Sequence, residues 1–170
     1  MNSLLNEYRE LLEFRSTMYK RFLENKITLT DFVFGSFNFL NQKKIRHIPK
    51  PTCREHVLVN YLFWQIHIER KVILERRLIE LKLGSQERLD NAIFMYVKRR
   101  DQMIRRLFFD LKEPMKDAYI VFNDTIEVVL NDGIIVYTTL DSLTKIKVDI
   151  DKLKFKKSAQ PHYIPAICLK

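Results

Sequence analysis

KEPMKDAYIVFNDTIEVVLNDGIIVYTTL, residues 112–140, is where the chain changes character. Upstream, apolar residues recur at three- and four-residue spacing, the period of a helix face. Downstream of Pro114, Ile, Val, Tyr and Thr crowd into short runs broken by Asn, Asp and Gly, the pattern of strands joined by tight turns. Pro114 itself cannot sit inside a helix. Ala118–Phe122, Thr125–Leu130 and Ile134–Thr139 are therefore predicted strands, with hairpin turns at Asn123-Asp124 and Asn131-Asp132-Gly133. A helical continuation through Met115–Phe122 stays open as the alternative. Lys145–Phe155 alternates, with Ile146, Val148 and Ile150 on one side and Lys147, Asp149 and Asp151 on the other. It predicts a half-buried strand with a bulge near Asp151–Lys152. The apolar tail HYIPAICLK, residues 162–170, predicts a last edge strand.

Four helices are predicted before this stretch. Ser3 to about Lys26 places Leu4, Tyr8, Leu11, Met18 and Phe22 on one face. A second helix starts at Thr28, whose hydroxyl and Asp31 form a capping pair, and carries Phe32, Phe34, Phe37, Phe39 and Leu40 as a core anchor. Thr52 and Glu55 have the same spacing, so a third helix is expected from Cys53 to Leu83, stopped by Gly84. Its first half, VLVNYLFWQIHI, is apolar on nearly every face, as a central buried helix is. Ser85 caps a fourth helix, about Gln86 to Lys112, and the short Gly84-Ser85 link implies an antiparallel hairpin. The expected fold class is α+β: four mainly antiparallel helices over residues 1–113, then a small antiparallel β-meander of three to five strands over 114–170, packed as one domain.

A chain of 170 residues with 3 Gly and 5 Pro suits long helices and needs neither disulfide nor metal to stay folded. Cys53 and Cys168 give no disulfide framework and are read as reduced thiols. No apolar run reaches the ~18 residues of a membrane span, and the N-terminus lacks leader character; a cytoplasmic location is expected.

Thirty Lys and Arg against 21 Asp and Glu give a net charge of +9, a balance that suits anionic partners. On an ideal helix, Arg88, Arg99 and Arg106 project the same way, with Lys98 and Arg105 about 100° further round. These five cations make a strip about 27 Å long that could follow a row of phosphates. The competing reading pairs them with acids such as Glu69, Glu75 or Glu80 on neighbouring helices. The basic loop 43–51, KKIRHIPKP, adds Lys43, Lys44, Arg46, His47 and Lys50, and mobile cationic loops commonly touch phosphates. Arg100 and Arg15 fall on apolar stripes, where a guanidinium requires a partner: a core carboxylate, or a carboxylate or phosphate of a ligand.

His47, Cys53 and His56 lie within ten residues, but the four-ligand pattern of structural zinc has no second half here; no metal and no cofactor are expected. Glycine-rich phosphate loops, GxSxG and HExxH are absent from the sequence, so no catalytic residue is assigned, and an enzymatic cleft around Arg100 is the least favoured reading. The nine-residue link before helix three is too long for a helix-turn-helix. The expectation is a non-enzymatic basic binding protein contacting nucleic-acid phosphates without strong sequence specificity. Its rival is a protein–protein or regulatory module acting through helix–helix or sheet-edge association, including homodimerisation through Tyr61, Ile68, Val72, Ile79 and Leu83.

Overall fold

The computed structural model describes residues 2–122, 125–131, 133–145 and 155–157, with the backbone alone for residues 2–5, 121, 122 and 155–157. The order is α1 (Asn2–Leu23), α2 (Leu29–Gln42), α3 (Arg54–Glu80), α4 (Gln86–Ile104) running into a π-helical stretch (Arg105–Asp110), β1 (Met115–Phe122), β2 (Thr125–Leu130), β3 (Ile135–Thr139), α5 (Leu140–Lys145) and β4 (Phe155–Lys157). The α+β class stands, with four helices followed by a sheet whose first three strands are antiparallel. The chain divides into two compact units, the first running to Arg99 and the second beginning at Arg100, so the division falls within α4.

In the first unit, α1, α2 and α3 pack on one another, with Tyr8, Leu11, Phe32, Leu40, Leu58 and Ile66 in the core. The α2 cap forms as its residues dictate: Asp31 N donates to Thr28 Oγ1 and Thr28 N donates to the Asp31 carboxylate, both at 3.1 Å. The Thr28 amide, and after it the Thr28 side chain, hold the Asp31 carboxyl below its usual range. The matching box at Thr52 does not form. Cys53 is the N-cap and its side chain accepts no hydrogen bond, while Thr52 N points to His56 Nδ1 at 3.3 Å. Ile68 and Val72 of α3 meet Leu89, Ala92 and Tyr96 of α4 in a second cluster, against which Trp64, Ile79 and Ile93 also pack. That cluster takes up most of the seam considered above as a dimer face.

In the first unit three helix ends turn through left-handed residues that are not glycine: Asn25 after α1, Lys44 after α2 and Lys82 after α3, with φ of 60°, 54° and 60°. At the last, Leu83 N and Gly84 N both reach Leu78 O, at 2.8 and 3.1 Å. The stop is thus Lys82. Gly84 is required for closeness instead, since a Cβ there would lie 2.8 Å from Leu78 Cβ.

The loop following α2 is anchored to the helices at two points. Ile45 N bonds Leu40 O at 3.1 Å and the Ile45 side chain is buried. Asn60, fully buried on α3, then clamps both backbone polar groups of Ile48: Ile48 N donates to Asn60 Oδ1 at 2.7 Å, and Asn60 Nδ2 donates to Ile48 O at 2.9 Å. Asn60→Ala removes both bonds and is expected to cost about 1–3 kcal/mol, read as a lower urea midpoint at unchanged slope. An unshifted midpoint would show that the clamp contributes nothing.

In the second unit the strand order is β3-β2-β1-β4. The β1–β2 and β2–β3 pairs are antiparallel, while β4 runs parallel to β1 with Ala118 opposite Phe155. Met115–Phe122 is a strand. Gly133, at φ 84°, supplies the left-handed residue of the β2–β3 turn. β2 is buried along most of its length, including Glu127, which Tyr137 across the ladder approaches at 3.5 Å through its hydroxyl. The short α5 was not anticipated. The strand expected over 145–155 and the edge strand over 162–170 lie outside the described residues, apart from Lys145, which ends α5, and Phe155, which opens β4.

Candidate nucleic-acid interface

Helix spacing explains how one side of the first unit collects rings. On α3, Phe63, His67 and Arg70 follow one another at steps of four and three, with Trp64 adjacent to Phe63. Phe34 and Phe37 of α2 are three apart, and residues at such spacings share a face. The outcome is a continuous row. Phe37 meets His67 edge-on at 5.2 Å between centroids, His67 lies 4.2 Å from Phe63, and Phe63 stands edge-on to Trp64 at 5.6 Å. His47 of the basic loop closes the row, 5.3 Å from Trp64 and 5.9 Å from Phe63.

Two guanidinium groups lie on the row. Arg70 Cζ lies 4.5 Å from the Phe37 centroid and 5.5 Å from that of Phe34, and Arg99 Cζ lies 4.5 Å from Trp64. Each contact is worth about 0.5–2 kcal/mol, rising as water is excluded. Phe34, Phe37, His47, Phe63, Trp64, His67, Arg70 and Arg99 are all half-buried, so the row keeps an outer surface. Of the four α2 phenylalanines read as a core anchor, Phe32 is fully enclosed and Phe34, Phe37 and Phe39 are half-buried.

Trp64 is the meeting point of two features considered separately in the sequence. His47 comes from the 43–51 loop and Arg99 from α4, and both touch that indole. The Schellman-like exit at Lys44 and the Asn60 clamp set the course of the loop between them. Lys44, Arg46, Lys50 and Lys98 are exposed and make no ion pair among the described residues. Lys43 is engaged, at 3.2 Å from a Glu10 carboxylate oxygen and 5.7 Å from the Phe39 centroid.

The remaining sequence candidates fare differently. Arg88 reaches Glu75 at 3.5 Å, the structural pairing that competed with a phosphate role. In the second unit, Arg105 stacks on Phe109 at 4.7 Å and Arg106 contacts Asp110 at 3.4 Å. There the i→i+5 bonding, seen in Leu111 N to Arg106 O at 3.0 Å, widens the turn. The 100° arithmetic that aligned five cations does not hold beyond Ile104. Arg15 meets a core carboxylate, Glu69, at 2.7 Å. Arg100 meets Asp101 at 3.2 Å and Ser142 Oγ at 3.3 Å; Ser142 in turn donates to Asp101 at 2.7 Å, and Thr139 donates to Ser142 Oγ at 3.0 Å. The Arg100 guanidinium is a brace between α4 and α5.

Burial holds the His47 and His67 imidazoles below their usual range, and the charges of Arg99 and Arg70 respectively add to it. A depressed folded-state pKa means the unfolded chain binds protons first. The stability tied to these neutral rings is present above about 6.5 and lost as pH falls through the folded-state values. His67→Asn is therefore expected to flatten the fall in urea midpoint between about pH 7 and pH 5.5; an unaltered slope would remove His67 from the account.

Among the described residues no three His, Cys, Asp or Glu side chains gather to hold a metal ion, and no helix is long and apolar enough to cross a membrane. No protein-family model matches the chain, and neither a curated protein nor a solved structure matches it.

Proposed function

We propose that this chain is a non-enzymatic binding protein that engages nucleic-acid phosphates with Lys44, Arg46 and Lys50 of the loop and with Lys98 and Arg99 of α4. The observation that carries the reading is the convergence of His47 and Arg99 on Trp64, which supports treating the loop and the end of α4 as one cationic face. The net charge of +9 supplies attraction at longer range. Long side chains reaching phosphates fix position without reading bases, so sequence preference is expected to be weak. The test is the anisotropy of a labelled single-stranded oligonucleotide titrated with the protein at low salt. A saturable rise is expected, and a flat titration through about 100 μM, the weak end of nonspecific binding, would overturn the reading.

Association with a protein is favoured by a different observation. Phe94 is 65% exposed and Leu83 73% exposed, and large apolar side chains left to solvent often mark protein contacts. A mass that stays monomeric across micromolar concentrations would argue against the self-association form of this second reading.

A further inference from the structure

Resting on the nucleic-acid reading, we infer that the half-buried row Phe37, His67, Phe63, Trp64 and His47 is a base-stacking platform, so that the substrate is single-stranded polynucleotide with its bases turned toward the protein. Phosphate attraction alone needs only the loop cations and Lys98. It does not account for five half-buried rings in mutual contact, with one guanidinium on Phe37 and another on Trp64. Bases stack on aromatic rings and on the flat face of an arginine alike. Arg99 is half-buried with its Cζ 4.5 Å from the Trp64 centroid, and a base stacking on that guanidinium would keep the charge near the strand. Arg70 on Phe37 repeats this arrangement. Lys44, Arg46, Lys50 and Lys98 are exposed, as side chains following a backbone must be. Duplex hides its base faces within its own stack, so it can use the cations and not the rings.

The chain contains one tryptophan, so its intrinsic fluorescence reports on the platform. A labelled oligothymidylate and an abasic oligomer of the same length present the same phosphates, with and without bases. The full chain is expected to bind the oligothymidylate at least about tenfold more tightly, a modest stacking contribution. It should quench Trp64 fluorescence with that oligomer and leave it unchanged with the abasic one. Phe63→Leu should lower affinity for the oligothymidylate and spare the abasic oligomer. Equal affinities without quenching, or tighter binding of a duplex of the same sequence length, would overturn the stacking platform and leave the phosphate reading standing. Failure of both oligomers to bind would overturn both.

Discussion

Arg15→Met is expected to lower the free energy of unfolding by about 3–5 kcal/mol, the usual cost of stripping a buried charge of its counter-ion. The Arg15 and Glu69 side chains are 2% and 0% exposed and lie 2.7 Å apart, joining α1 to α3 inside the core of the first unit. Arg15 also covers Phe32 at 4.9 Å. Methionine keeps much of that packing, but it leaves the Glu69 carboxylate without its principal cation in a site water does not reach. Glu69→Leu is expected to cost a comparable amount for the converse reason. The two losses should not add. Arg15→Met combined with Glu69→Leu removes both charges, and the double variant is expected to be more stable than either single one. Chemical denaturation of all four proteins supplies the cycle. Single losses under about 1 kcal/mol, the size of an exposed pair, or losses that simply sum, would contradict a buried charge pair here.

Replacing Lys44, Arg46 and Lys50 together by Glu is expected to weaken nucleic-acid binding by about 100-fold at low salt. Each cation near a phosphate contributes on the order of 1 kcal/mol in a solvated setting, and reversal adds repulsion to the loss. The fold should survive the change. All three side chains are exposed, and such substitutions usually stay within about 0.5 kcal/mol. The loop is located by buried Ile45 and by the Asn60 clamp on Ile48, neither of which is altered. A variant that unfolds like the parent but binds about 100-fold more weakly meets the expectation. One that binds as the parent does would move the phosphate contacts off this loop.

Much of the architecture was legible because single residues impose it. Pro114 and the β-branched runs beyond it mark the change from helix to strand, and Thr125–Leu130 is read at its observed limits. The Thr28–Asp31 cap formed with both of its reciprocal bonds. At Thr52 the same spacing failed, since His56 lies within reach of the Thr52 amide. The α5 turn had a signal that went unused: Thr139 Oγ1 accepts from Ser142 N at 3.2 Å, an N-terminal cap at the end of a strand. The π-helical stretch has no comparable residue signature, and it moved Arg105 and Arg106 off the expected line.

The candidate site was half legible. Its cations were visible as charge; Arg15 found the core carboxylate that its apolar position called for, and Arg88 took the carboxylate pairing that competed with a phosphate role. The rings were read as core because periodicity assigns a side chain to a face without saying what covers that face. Phe63, Trp64 and His67 continue the apolar run that begins at Val57, yet the run passes from enclosed residues to half-buried ones at Phe63. Asn60 was the overlooked marker. A buried amide in such a run must find hydrogen-bond partners, and its partner is the loop that carries the cations.

The measurement that tests the central claim most directly is the salt dependence of single-strand binding by the unaltered chain. Anisotropy titrations across a series of salt concentrations are expected to give a log–log line whose slope has a magnitude of about 2–4, three to five neutralised phosphates at about 0.7 each. A slope near zero, or no binding at the lowest salt, would contradict a phosphate-binding face built from the loop and α4.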